Sequence, residues 1–166
     1  MDGINDQLVL ICGLSGSGKS ASFRNIRNQE NWLYLNTEAG KRLPFKNSFE
    51  SYKITEPEQI LEAFDVAQNE PRYEGIIVDS LTFLMDLYES TTVLTAANTM
   101  KAWSNYNQYF KELMQQKVAY LNKPVLFTAH VQDTLDEKTM EMKTQVPIKG
   151  ALKGTGVEAY RKWAFI

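Results

Sequence analysis

Residues 13–20 read Gly-Leu-Ser-Gly-Ser-Gly-Lys-Ser. A glycine, four intervening residues, and then Gly18, Lys19 and Ser20 is the spacing of a loop built to hold phosphates. Glycines at 13, 16 and 18 allow backbone torsions closed to other residues, so successive N–H groups can converge on phosphate oxygens. Lys19 would neutralise β- and γ-phosphates, and Ser20 would offer its hydroxyl to Mg²⁺. The predicted nucleotide-contacting stretch is Gly13, Ser15, Gly16, Ser17, Gly18, Lys19, Ser20 and Ala21, and the implied ligands are ATP and Mg²⁺. A helix expected over residues 20–28 would aim its positive dipole end at the same place. A flexible glycine turn is the bland alternative. It does not account for the apolar run before the loop or the helical stretch after it.

Three more polar residues close apolar runs. Asp79 ends "GIIVDS", where a carboxylate can hold Mg²⁺ through water or Ser20; capping the next helix is its other use, open equally to Ser80. Glu38 follows "WLYLN", placed to orient and deprotonate a water for in-line attack. His130, the sole histidine, ends "PVLFTAH", where a neutral donor could report the γ-phosphate. Glu38, Lys19 and His130 are thus the catalytic candidates, and Ser20 and Asp79 the metal candidates. An exposed glutamate and a histidine satisfied at a strand end are the structural alternatives.

The elements that must position these residues follow from patterning. "QLVLIC" (7–12), "NWLYLN" (31–36), "GIIVDS" (75–80) and "PVLFTAH" (124–130) read as strands, the continuous apolar runs among them as strands buried on both faces. Helices are expected at 55–68, with Thr55 as N-cap, and at 98–121. In the second, Trp103, Tyr106, Phe110, Leu113, Met114, Val118 and Leu121 make a core stripe. Residues 39–54 read as irregular, 131–149 as a polar loop or hairpin, and 158–166 as a final strand. Strands alternating with helices predict an α/β fold of three layers: a mainly parallel sheet, helices on both faces, and a C-terminal antiparallel hairpin or strand. Ligands of such sheets bind beyond the carboxyl ends of the strands. All four polar candidates fall there.

Composition narrows the classes. The 166 residues suit one domain, expected to span 1–166, and a chain stopping inside a strand is expected to have been cut short. With 43% hydrophobic and 23% charged residues it reads as globular, and no apolar run reaches the ~18–20 residues of a membrane helix. The single cysteine, Cys12, argues for a reducing cytoplasm and against a disulfide framework. A net charge of −2 does not favour a protein gripping DNA by a broadly basic surface.

"GLSGSGKS", "WLYLNTE", "GIIVDSLT" and "VLFTAH", in that order, resemble the RecA-like core of P-loop ATPases. With "PIKGALKG" they look most like the phage-encoded Sak-type ATPases of single-strand annealing and recombination. The resemblance implies a RecA-like sheet, ATP hydrolysis with water activated by Glu38, and His130 as γ-phosphate sensor. It also implies a DNA-contacting segment at 131–147, and Lys149 and Lys153 as cationic fingers reaching a neighbour's nucleotide. Implied partners are single-stranded DNA, a single-strand-binding or annealing protein, and further copies of the chain. No membrane is implied, and the place of action is a host cytoplasm.

Between 131 and 153 four lysines face four acids, so a solvated hairpin stays open as the reading of that segment. A small-molecule or nucleotide kinase and a non-hydrolysing nucleotide-dependent interaction module are the rival functions. The five arginines leave the late polar segment without the arginine-bearing lid usual in such kinases.

Overall fold

A computed structural model describes residues 4–149. Five strands form one parallel sheet: β1 (Leu8–Gly13), β2 (Trp32–Asn36), β3 (Glu50–Lys53), β4 (Gly75–Asp79) and β5 (Val125–His130), in the order β1-β5-β4-β2-β3. Three helices connect them: α1 (Glu58–Asn69), α2 (Leu81–Tyr88) and α3 (Thr99–Glu112). The α/β, mainly parallel fold expected from the patterning is present. β6 (Gln132–Asp136) and β7 (Glu141–Gln145) pair antiparallel as a separate hairpin, which resolves the loop-or-hairpin alternative.

The sheet's two faces are covered unequally. Leu10, Leu33, Leu35, Ile76, Val78, Val125 and Phe127 pack with buried residues of α1, α2 and α3. Ile11, Tyr34 and Ile77, on the other face, meet only Phe23, Ile26, Leu43, Phe45, Phe49 and their neighbours among the described residues. The α-helices therefore lie on one face, and the expected second helical layer is a short turn plus the 37–49 loop. Cys12 is buried, and that burial pushes its thiol above the usual range.

Three local expectations change. The helix over 20–28 shrinks to a six-residue 3₁₀ turn, Ser20–Asn25, after which Ile26 is extended and Asn28 is left-handed at φ 51°. Only Phe23 in that turn is a buried apolar anchor, too few to stabilise a longer helix. Helix α1 begins at Glu58, not at a Thr55 cap; Gln59 Oε1 instead accepts from the Thr55 and Glu56 amides at 2.8 and 3.1 Å. β3 lies inside the stretch expected to be irregular, because a polar sheet-edge strand carries no apolar run. The strand expected at 158–166 lies outside the described residues.

The aromatic stripe of α3 packs inward as expected, with Tyr106 and Phe110 fully buried. The helix continues as a π-helical turn, Leu113–Val118, and Asn98 caps its start by accepting from the Lys101 amide at 3.0 Å. Tyr106 touches Tyr88, Trp103 and Phe110, yet its hydroxyl has no hydrogen-bond partner among the described residues. A buried, unpaired hydroxyl costs about 1–3 kcal/mol. Tyr106→Phe should therefore raise stability by about 1 kcal/mol, read as a higher thermal midpoint; a lower midpoint would reveal a hidden partner.

Candidate active site

The phosphate loop leaves β1 at Gly13 and passes Gly16 and Gly18 at φ of 76° and 91°, torsions that a side chain would strain. A Cβ on Gly13 would collide with the Ser17 side chain. Lys19 follows and is 8% exposed. Its Nζ donates to the carbonyls of Gly13 at 3.0 Å and Leu14 at 2.7 Å, so the ammonium turns back into the loop's own concavity. Burial and the nearby Lys41 charge lower its pKa, while the charges of Glu38 and Asp79 oppose that shift. The short 3₁₀ turn after the loop leaves the converging amides and Lys19, not a long helix dipole, as the anion-holding features.

Asp79 ends β4 and is 2% exposed. Ser20 Oγ and Tyr34 Oη each donate to its Oδ2 at 2.8 Å, and Thr128 Oγ1 donates to Oδ1 at 2.5 Å. Burial, followed by the Asp79 charge and this hydrogen bond, raises the Tyr34 pKa far above the phenolic range. The next residue, Ser80, caps α2 by accepting from the Phe83 amide, so the capping alternative falls to Ser80.

Glu38 lies two residues past β2 and is 8% exposed. Its Oε1 stands 3.3 Å from His130 Nε2, and its Oε2 pairs with Lys41 Nζ at 2.6 Å. The backbone before it is clamped: Thr37 Oγ1 donates to the Ser80 carbonyl at 2.8 Å and accepts from the Ser80 amide at 2.7 Å. His130, opposite Gly13 in the sheet register, donates from its backbone amide to Thr82 Oγ1 at 2.9 Å and sets its ring edge-on to Phe83 at 5.4 Å. Beside Glu38 a cleft of about 520 Å³ opens, lined also by Lys41, Phe83, Asp86 and Ser90.

Lys19, Ser20, Glu38, Asp79 and His130 therefore meet at one rim. Lys149 does not join them: its ammonium pairs with Asp86 at 2.7 Å and with Glu89, and these carboxylates raise its pKa. Reaching a neighbouring copy would require leaving both. Lys153 lies outside the described residues. The sequence reading missed Tyr34, Thr37, Lys41, Thr82 and Thr128. Thr128 could have been found by counting back two from His130, since alternate strand residues share a face.

Oxygen donors suit a hard cation. The Ser20 hydroxyl directed at the buried Asp79 carboxylate is such a set. Among the described residues no group of three or more His, Cys, Asp or Glu forms a metal cage.

A family model described as an AAA domain matches residues 5–156. The chain belongs to the AAA domain family. No curated protein matches it. The matched span takes in the phosphate loop and all the strand ends that carry Glu38, Asp79 and His130, and the AAA domain has the P-loop ATPase type of core expected from the sequence. No helix among the described residues is long and apolar enough to cross a membrane.

Thr128→Val would strip Oδ1 of Asp79 of its hydroxyl partner. Leaving a buried carboxylate oxygen unpaired should cost about 1–3 kcal/mol, measured by urea unfolding; an unchanged midpoint would mean that water replaces the threonine.

Proposed function

We propose that this AAA domain is a Mg²⁺-dependent ATP hydrolase in which Glu38 activates the attacking water. One observation carries the reading: the buried Glu38 carboxylate stands 3.3 Å from His130, which lies opposite Gly13, the first residue of the phosphate loop. The water oxygen attacks the γ-phosphorus, the bond to the β–γ bridging oxygen breaks, and the water's proton passes to Glu38. Lys19 exchanges the Gly13 and Leu14 carbonyls for phosphate oxygens. Ser20 would hold the metal directly and Asp79 through Ser20 or water; when bound, the ion neutralises charge on the β- and γ-phosphates. His130, which contacts Glu38 and Phe83 of α2, would register the γ-phosphate and pass its presence to α2.

The process assigned to this hydrolysis is single-strand annealing or recombination of phage DNA, in the manner of RecA-like ATPases of the Sak type. The motifs "TAH" and "PIKG" support that assignment.

Glu38→Gln should keep nucleotide affinity and lose about 10²–10⁴-fold in turnover. Lys19→Ala should weaken nucleotide binding by about tenfold or more, through loss of charge-assisted hydrogen bonds. Titration with a fluorescent ATP analogue and a phosphate-release assay read the two effects separately. Undiminished turnover in Glu38→Gln would remove it as the base.

A further inference from the structure

The pairing of Glu38 with Lys41 is built into the backbone. Residues 38–41 make a tight turn in which the Lys41 amide donates to the Glu38 carbonyl at 3.1 Å. Gly40, third in that turn, takes a φ of 79°, a torsion that glycine adopts without strain. Asn36 secures both ends, accepting from the Glu38 amide at 2.9 Å and donating to the Lys41 carbonyl at 2.7 Å. The first and fourth side chains of the turn are thereby brought together, and Lys41 Nζ meets Glu38 Oε2 at 2.6 Å.

The Glu38 carboxylate is buried at the rim that would receive the γ-phosphate, so nucleotide binding brings two anions close. Like charges repel strongly where water is scarce. The other cations near the rim are committed elsewhere. Lys19 is held by the carbonyls of Gly13 and Leu14, and Lys149 by Asp86 and Glu89. His130 faces the second carboxylate oxygen at 3.3 Å, and a neutral imidazole there supplies a hydrogen bond without a full charge. Lys41 alone sets a permanent cation on this carboxylate among the described residues. Its field also reaches the phosphate loop: after burial, the Lys41 charge is the next influence that lowers the Lys19 pKa.

We propose that Lys41 determines the preference of this site for a nucleoside triphosphate over a diphosphate, because its ammonium cancels the Glu38 charge that the γ-phosphate must face. A diphosphate lacks the group that approaches Glu38 and is indifferent to the pair. The side chain of Lys41 is half exposed, so its ammonium can serve the carboxylate and an entering phosphate oxygen together. This inference rests on the hydrolase reading for the place of the γ-phosphate beside Glu38, and not on Glu38 acting as the base.

The test titrates the full chain, in excess Mg²⁺, with a fluorescent non-hydrolysable ATP analogue and with the matching ADP analogue. Lys41→Met should weaken the triphosphate by about tenfold and leave the diphosphate within about twofold of the parent. Lys41→Arg, which keeps the charge, should retain the parental ratio of the two affinities. Adding Glu38→Gln to Lys41→Met removes the stranded carboxylate and should restore that ratio, the coupling expected of paired charges. A loosened 38–41 turn would instead weaken both nucleotides alike, and the second substitution would not rescue it. A parental ratio in Lys41→Met, an equal loss for both nucleotides, or no recovery in the double variant overturns the proposal. Phosphate release is measured separately: undiminished turnover in Glu38→Gln removes the base and leaves the affinity ratio as the measure of Lys41.

Discussion

A carboxylate removed from water must be met by donors, because an uncompensated buried charge costs several kcal/mol. Asp79 is met by three hydroxyls from three places in the chain: Ser20 after the phosphate loop, Tyr34 on β2 and Thr128 on β5. These bonds tie the loop to the sheet and bring together the ends of strands far apart in sequence. β1 and β4 are not neighbours; β5 lies between them, and Thr128 bridges from it. Without this saturation the loop and the strand ends would share a sheet but not a geometry.

Around that anchor the charges alternate. Lys19 is buried on its own loop's carbonyls, Glu38 sits between His130 and Lys41, and Lys41 belongs to a loop with unpaired cations. Each cation is held by groups that a phosphate could replace. The short 3₁₀ turn fits this picture: the loop depends on amides and side-chain charge more than on a helix dipole.

Much of the fold could be read along the chain. Continuous apolar runs marked β1, β2, β4 and β5, and the three-and-four spacing in 98–121 marked the face of α3 that is buried. Those signals are strong because burial on both sides of a strand, or along one helical stripe, leaves little choice of residue type. β3 and the short turn at Ser20–Asn25 were not legible. One is a polar edge strand and the other has a single buried anchor, so neither writes a periodic pattern.

The candidate site divides along the same line. The sequence by itself determined the chemistry on offer: a glycine-shaped anion loop with Lys19 and Ser20, and polar residues closing buried strands, whose direction in a parallel sheet sends them to a common rim. Tertiary structure alone decided who touches whom. Tyr34, Thr37 and Thr128 look like ordinary strand residues until the register places them against Asp79 and Ser80, and Lys41 gains meaning only from its carboxylate. The physical reason is range: backbone torsion and hydrophobic period are written locally, whereas hydrogen bonds and ion pairs between distant segments exist only once the strands are aligned side by side.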